Sequence, residues 1–382
     1  MIRRFSEHLM VRCLVALLLL CSSAHAAAPQ PPSVLGKSWL LADLSSGQIL
    51  AAEKPNERFE PASLTKLMTA YLVFAALRDK KLSLESRVNV SERAWKAPGS
   101  RMFIDPRRPV SVDELIRGVV VQSGNDACIA LAEAVAGAEE AFVQMMNREA
   151  ERLGMKGTRY VNASGLPDPQ QYTTAQDLYL LTAALIRDFP AEYAQYYSQK
   201  GYRYNNITQP NRNRLLWLDP SVDGVKTGHT EAAGYCLVAS SRRGGRRLLS
   251  VLLGATSESA RAQESQKLLN WGFQFFDSVK LYGAGEAVKS LEVWKGAANA
   301  VKVGVKGDLF VTVPKGEAEK LKAELVSQQP LVAPLASGQR VGTLRVSLEG
   351  KPYGEYPLVA LEQVGPAGLF GRAWDTLRLW AR

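Results

Sequence analysis

Histidine and cysteine are scarce in this chain of 382 residues, with three histidines (His8, His25, His229) and four cysteines (Cys13, Cys21, Cys128, Cys236). The first 26 residues read as a removable leader, and without them one histidine and two cysteines remain. So small a set, at most three ligands with no metal-binding spacing, argues against a Cys/His zinc site. A serine–histidine–aspartate triad would have to be built on His229, so a hydrolase of this composition turns to a different base. The unbroken apolar run from Cys13 to Cys21 falls well short of the roughly 20 residues that span a bilayer. Neither a phosphate-cradling glycine loop nor a nucleic-acid motif occurs, so nothing points to a nucleotide or nucleic-acid partner.

The leader carries Arg3, Arg4 and Arg12 ahead of the apolar run, and Ala24 and Ala26 place small residues at the −3 and −1 positions. That order is a secretory signal over residues 1–26. Lipidation at Cys21 competes with it, but Leu20 stands where a lipoprotein signal needs a small residue. Export permits disulfides, yet Cys128 falls in a helical stretch and Cys236 in a strand-like one, which favours two buried, unpaired thiols.

At about 150 residues per domain the length suits two or three units. A hydrophobic share of 46% and a charged share of 22% supply an ordinary core, which rules out wholesale disorder or a fibrous repeat. The net charge of +10 drops to +8 without the leader, whose three arginines face only Glu7. That balance suits an anionic surface.

After a linker at Pro29–Pro32, the pattern predicts a hairpin from residues 38–41 and 47–52. Helices are predicted over about 63–77, 112–135, 174–187 and 257–276, and paired strands over 234–241 and 247–255 around Gly244-Gly245. Strands at both ends of a helical middle predict an α+β domain over 33–284. Alternating runs such as Val301–Val305 and Leu309–Val313 predict a small all-β domain over 285–365. A terminal unit follows over 366–382. The basic turn Arg242–Arg247 reads as a solvated hairpin tip, with contact to an anionic glycan or lipid as the alternative. Trp271, Phe273, Phe275 and Phe276 read as core.

Three short motifs carry chemistry. Ser63-x-x-Lys66 opens a predicted helix, so both side chains lie on one face within reach, and a helix N-terminus favours developing negative charge at Ser63. A serine hydroxyl needs a base, and a lysine serves once burial or a neighbouring cation lowers its pKa. Alone, the pair could equally be a capping serine beside an exposed lysine. Ser123-Gly124-Asn125 ends one apolar stretch and starts a helix, and Lys226-Thr227-Gly228 precedes a strand. Each triplet alone is weak, but all three in this order match the signature of penicillin-recognising serine enzymes.

Across essentially its whole length the sequence resembles the low-molecular-mass penicillin-binding proteins, specifically the membrane-anchored D-alanyl-D-alanine carboxypeptidases of Gram-negative bacteria. The likeness rests on the segments 61–68, 122–128, 223–230 and 270–273, on the β-rich second domain and on the terminal helix. Gly124, where many β-lactamases carry aspartate, fits the carboxypeptidase branch. The resemblance implies the penicillin-recognising serine transpeptidase/β-lactamase-like fold. It implies that Ser63 is the nucleophile, Lys66 its base, Ser123 a proton relay and Asn125 a holder of Lys66 and of the substrate amide. Lys226, through like-charge repulsion, would help keep Lys66 neutral. Lys226 and Thr227 would bind the terminal carboxylate, and the backbone N–H groups of Ser63 and His229, the latter following Gly228, would form an oxyanion hole. Arg212 and Arg261 match arginines near the cleft. The implied partners are the peptidoglycan pentapeptide stem and β-lactam antibiotics, on the periplasmic face of the inner membrane, with no cofactor. Two further hypotheses stand beside this one, a β-lactamase-like hydrolase on the same residues and a catalytically weak wall-binding protein.

On a helical wheel Leu369, Phe370, Ala373, Trp374, Leu377, Trp380 and Ala381 form one apolar arc, opposed by Arg372, Asp375, Arg378 and Arg382. Too short and too polar to span, the segment suits a helix lying in the headgroup plane. The alternative is a helix packed on the β domain, which would bury the same arc.

Overall fold

The computed structural model describes residues 29–327 and 329–380. The leader lies outside them, as do Ala381 and Arg382 at the end of the apolar arc. From Ser33 onward the chain forms one compact unit.

Its first part is α+β. Strands β1 (Ser38–Asp43), β2 (Ile49–Glu53), β3 (Val222–Thr230), β4 (Gly234–Arg243) and β5 (Arg246–Ala255) form an antiparallel sheet in the order β2-β1-β5-β4-β3. Every residue of β1 is buried because the sheet is covered on both sides. Leu40 and Ala42 join a core of helical residues that also takes Val251 and Leu253, whereas Trp39 and Leu41 pack with Leu248, Leu268 and Trp271. Successive strand residues point to opposite faces, so a doubly covered strand reads as one apolar run. The helices of the first face are α1 (Lys66–Arg78), α2 (Asn125–Ala136) and α3 (Ala175–Asp188), and α4 (Glu258–Phe275) covers the second. Thr174 caps α3 by accepting the Asp177 N–H at 3.0 Å, and Ser257 caps α4 through the Ala260 N–H at 3.0 Å.

Two expected helices differ. The helix expected from Ser63 opens as a 3₁₀ turn over Ala62–Thr65 before α1 begins. The one expected over 112–135 is broken: Val112–Arg117 is α-helical, Gly118–Gln122 widens into a π turn, and Ser123 is left-handed at φ 62°. A left-handed residue cannot continue a right-handed helix, so α2 starts afresh at Asn125.

The turn Gly244-Gly245 has φ of 55° and 85°, the conformation that closes a two-residue hairpin. Its arginines are mostly not solvated. Arg243 pairs with Asp219 at 2.8 Å, Arg246 with the buried Asp43 at 2.6 Å and Arg247 with Asp223 at 2.7 Å, leaving Arg242 exposed. Trp271 and Phe276 are core, but Phe275 is exposed. Cys128 and Cys236 are buried and unpaired, and burial raises each thiol to about 11.

The second part is all β. Strand β6 (Phe276–Tyr282) follows α4 directly and pairs with β9 (Leu309–Pro314). It lies inside the span 33–284 expected for the first domain, yet its hydrogen-bonded partner is in the second. Strands β7 (Ala287–Trp294), β8 (Ala300–Gly304), β10 (Leu321–Ser327), β11 (Leu331–Val332), β12 (Arg340–Leu348) and β13 (Lys351–Ala360) form a sheet in the order β10-β12-β13-β8-β7-β11. The joint between the parts is polar and partly buried, with Thr312 and Asp43 fully enclosed. The Gln48 amide donates to the Thr312 carbonyl at 3.1 Å and accepts the Thr312 N–H at 2.6 Å, standing in for a strand partner. Asp43 takes the Thr312 hydroxyl at 3.0 Å as well as Arg246, and the Tyr353 hydroxyl adds a bond to the Thr312 carbonyl at 2.6 Å.

Gln48→Ala strands the Thr312 N–H, and an unsatisfied buried donor costs about 1–3 kcal/mol. A denaturant midpoint unchanged by Gln48→Ala would show that the joint does not bear on stability.

Candidate active site

Ser63, Ser123, Thr227, Gly228, His229, Arg212 and Arg261 line one cleft of about 220 Å³, together with Ser100, Tyr235 and Glu258. Ser63 comes from the 3₁₀ turn, and Lys66, the first residue of α1, is 1% exposed. The Lys66 Nζ lies 3.1 Å from Ser63 Oγ, 2.7 Å from Asn125 Oδ1 and 2.5 Å from the Ser164 carbonyl. Two of these three partners are carbonyl oxygens that can only accept. A neutral amine has two N–H groups, so satisfying both carbonyls aims its one lone pair at the Ser63 hydroxyl. Burial brings the Lys66 pKa down to about 8, with Arg212 pushing the same way and Asp126 opposing. Burial, not the expected repulsion from Lys226, is the largest cause.

Lys226 makes a second serine–lysine pair. Its Nζ donates to Ser123 Oγ at 2.9 Å and to the Thr227 carbonyl at 3.0 Å. It too is held well below the ordinary lysine value, first by burial and then by Lys66, Arg212 and Arg261. Left-handed Ser123, at the break before α2, is how the chain delivers that hydroxyl. A non-glycine residue in this conformation is strained.

Gly228 has a packing reason. A Cβ there would sit 3.1 Å from Leu64 Cγ and 3.3 Å from both Ala62 Cβ and the Pro61 carbonyl, pressing on the turn that carries Ser63. Gly124 is similarly closed, since a Cβ would lie 2.8 Å from Asp126 Oδ1. Strand β3 ends the sheet order, so among the described residues its outer edge has no strand partner and can present backbone to the cleft. The His229 ring packs against Tyr235, with centroids 4.1 Å apart. Arg261 is buried, paired with Glu258 at 3.0 Å, while Arg212 is exposed.

The Ser164 carbonyl escapes sequence reasoning because a backbone atom has no residue-type signal. Its loop is pinned from many sides. Asn162 Oδ1 accepts the N–H groups of Ser164, Gly165 and Leu166 at 3.2, 2.7 and 3.2 Å. Buried Glu139 accepts the Ala163 N–H at 2.9 Å, and Thr69 and Cys128 donate to the Ala163 carbonyl at 2.6 and 2.8 Å. The hint available in sequence is the turn-forming Asn162-x-x-Gly165.

Comparison with known proteins bears on this geometry. Residues 25–257 match the family model described as D-alanyl-D-alanine carboxypeptidase. The chain belongs to that family. Residues 276–366 match the model of the penicillin-binding protein 5 C-terminal domain, which begins at β6. The D-alanyl-D-alanine carboxypeptidase DacC of Escherichia coli K12 is 45% identical over 94% of this chain and 92% of its own. DacA of Haemophilus influenzae is 43% identical over 91% and 90%. The crystal structure of penicillin binding protein 5 from H. influenzae superposes with a TM-score of 0.85 at 42% identity, covering 88% of this chain and 99% of that one. The ampicillin-bound form of penicillin-binding protein D2 from Listeria monocytogenes gives 0.59 at 30% identity, covering 64% and 100%. The fold is therefore that of the penicillin-binding serine hydrolases, with an all-β second domain.

Because Lys66 accepts a proton only when neutral and its pKa lies near 8, acylation by benzylpenicillin should climb about tenfold per pH unit below that value and level off above it. A rate constant flat across that range would remove Lys66 as the titrating base.

Proposed function

We propose that this chain is a serine-type D-alanyl-D-alanine carboxypeptidase that removes the terminal D-alanine from peptidoglycan pentapeptides through an acyl-enzyme on Ser63, and that penicillins acylate the same serine. The observation that carries this reading is the buried Lys66, tied to two carbonyls with its remaining contact on Ser63.

In the proposed reaction Lys66 takes the Ser63 proton as Oγ attacks the carbonyl between the two D-alanines. The Ser63 and His229 N–H groups receive the developing oxyanion, where one such donor is worth about 3–4 kcal/mol. The C–N bond then breaks, an ester forms on Ser63, and Ser123, backed by Lys226, hands a proton to the departing amine. Thr227, Lys226 and the cationic wall of Arg212 and Arg261 face the leaving D-alanine carboxylate, and Asn125 holds the amide on the acyl side. Water then hydrolyses the ester.

The proposed location is the periplasmic face of the inner membrane, through helix α5 (Leu369–Trp380). Leu369, Phe370, Trp374, Leu377 and Trp380 are all exposed, which supports this reading over an arc packed on the β domain. The helix touches that domain with its polar side: Asp375 accepts the Lys295 N–H at 2.6 Å, and Arg378 lies over the Trp294 ring at 5.3 Å. Among the described residues no helix is long and apolar enough to cross a membrane. An outward apolar face with two tryptophans and flanking arginines suits a headgroup plane.

Ser63→Ala is expected to abolish both D-alanine release from a D-Ala-D-Ala peptide and the penicilloyl adduct seen by mass spectrometry. Lys66→Arg should fail although it keeps the charge, since arginine does not give up its proton. Activity surviving in either variant would overturn the assignment. Deletion after Gly365 should move an active enzyme from the membrane to the soluble fraction, and a truncated form that stays bound would refute the anchor.

A further inference from the structure

Glu60, three residues before Ser63, is bonded to the end of strand β3. Its Oε2 accepts the Thr230 hydroxyl at 3.0 Å, and Thr230 is the last residue of β3, next to His229. The same hydroxyl oxygen accepts the Ala233 N–H at 3.0 Å, within the turn that leads from β3 to β4. An ionised carboxylate can only accept, so the Thr230 proton points at Glu60 and leaves the oxygen's lone pair for Ala233. The other carboxylate oxygen, Glu60 Oε1, is buried without a hydrogen-bond partner. A half-satisfied buried carboxylate costs free energy, so stability does not account for a glutamate at this position.

The bond joins two segments that other contacts restrain only in part. Just before Glu60, Phe59 and Thr173 exchange both backbone hydrogen bonds, at 2.8 and 2.9 Å. Just after it, the Pro61 carbonyl accepts the Leu64 N–H at 3.1 Å, and left-handed Ala62, at φ 47°, leads into the 3₁₀ turn that carries Ser63. From β3, Gly228 rests against this turn, where a side chain would press on Pro61, Ala62 and Leu64. Packing of that kind limits how closely the turn and the strand approach, but not how far they part. The Glu60–Thr230 bond sets the other limit. The two N–H groups assigned to the oxyanion, those of Ser63 and His229, stand one on each of the segments it joins.

We propose that Glu60 is a positioning residue whose bond to Thr230 fixes the separation of the Ser63 and His229 N–H groups, and with it the fit of the oxyanion hole to the tetrahedral intermediate. The proposal rests on the carboxypeptidase reading, which assigns those two groups to the oxyanion. Hydrogen bonds weaken steeply once distance and angle drift, and such donors stabilise the intermediate only if they are in place beforehand. A loosened pair still admits the ground-state carbonyl, which carries less charge, so the cost falls on acylation and not on binding. Glu60 is not among the residues lining the cleft and transfers no proton. It acts through position alone.

The test uses the full chain in detergent and reads two quantities that depend on the oxyanion hole. One is the rate constant of acylation by benzylpenicillin. The other is the inhibition constant of diacetyl-L-Lys-D-boroalanine, whose boron bonds to Ser63 Oγ to give a tetrahedral anion. Glu60→Ala should slow acylation about tenfold and weaken the boronic acid by a similar factor, with the dissociation constant of the benzylpenicillin encounter complex within about twofold. Glu60→Gln keeps an oxygen for the Thr230 hydroxyl and should recover most of both. Thr230→Val should match Glu60→Ala, and the double variant should be no slower than either alone. If Glu60→Ala does not fold, Thr230→Ser against Thr230→Val makes the same comparison, with the serine expected near the unmutated rate. Losses that multiply in the double variant, a Glu60→Gln as slow as Glu60→Ala, or an effect confined to the encounter complex would each overturn the proposal while the carboxypeptidase reading stands. An unmutated chain that releases no D-alanine from diacetyl-L-Lys-D-Ala-D-Ala would overturn both.

Discussion

A charged lysine buried without a counter-charge is unfavourable, and the centre of this structure is organised around that constraint. Lys66 is enclosed, has no carboxylate within bonding distance among the described residues, and is met instead by Asn125 Oδ1 and the Ser164 carbonyl. Those two acceptors solvate an amine without forcing a proton onto it. Three separate parts of the chain must converge for this: the turn before α1, the break before α2, and the pinned loop around Ser164. Two of the nine left-handed non-glycine residues among those described, Ala62 and Ser123, lie there.

The second lysine extends the same logic. Lys226 rises from the edge strand β3 and meets Ser123, which lines the cleft together with Arg212 and Arg261. Crowding several cations without equal anions depresses the lysines further and leaves the wall attractive to a carboxylate. In the proposed reaction that wall receives the leaving amino acid and Asn125 holds the acyl portion.

Beyond the cleft, rigidity is supplied by polar contacts. Thr312 is wrapped by Gln48, Asp43, Ser46 and Tyr353, and Arg246 reaches the Gly272 and Phe276 carbonyls as well as Asp43. The basic turn thereby braces the sheet against the strand that leaves α4. At the far end, α5 contributes Asp375 and Arg378 to the β domain and keeps its apolar side outward. That division of one helix between a polar, protein-bound face and an apolar, open face is compatible with the peripheral anchor proposed above.

Much of this was legible in the one-dimensional string. The helix and strand periods located the hairpin at 38–53, the paired strands around Gly244-Gly245, α3, α4 and the all-β texture, because those patterns record which face each element buries. The three motifs named Ser63, Lys66, Ser123, Asn125, Lys226, Thr227 and Gly228, since side-chain chemistry at short spacing is written directly in residue types. What only the tertiary structure decided depends on atoms that residue types do not encode, or on partners far apart in the chain. The Ser164 carbonyl is backbone. The break at Ser123 is a dihedral choice stabilised by contacts outside the helix. Lys66 is depressed mainly by burial, a property of everything packed around it. Strand β6 belongs with the second domain because its hydrogen bonds go to Leu309–Pro314, and three of the four arginines of the basic turn face aspartates up to 203 positions away. Local pattern determines what an element is, whereas long-range packing determines which of its groups are dry, charged and aimed at one another.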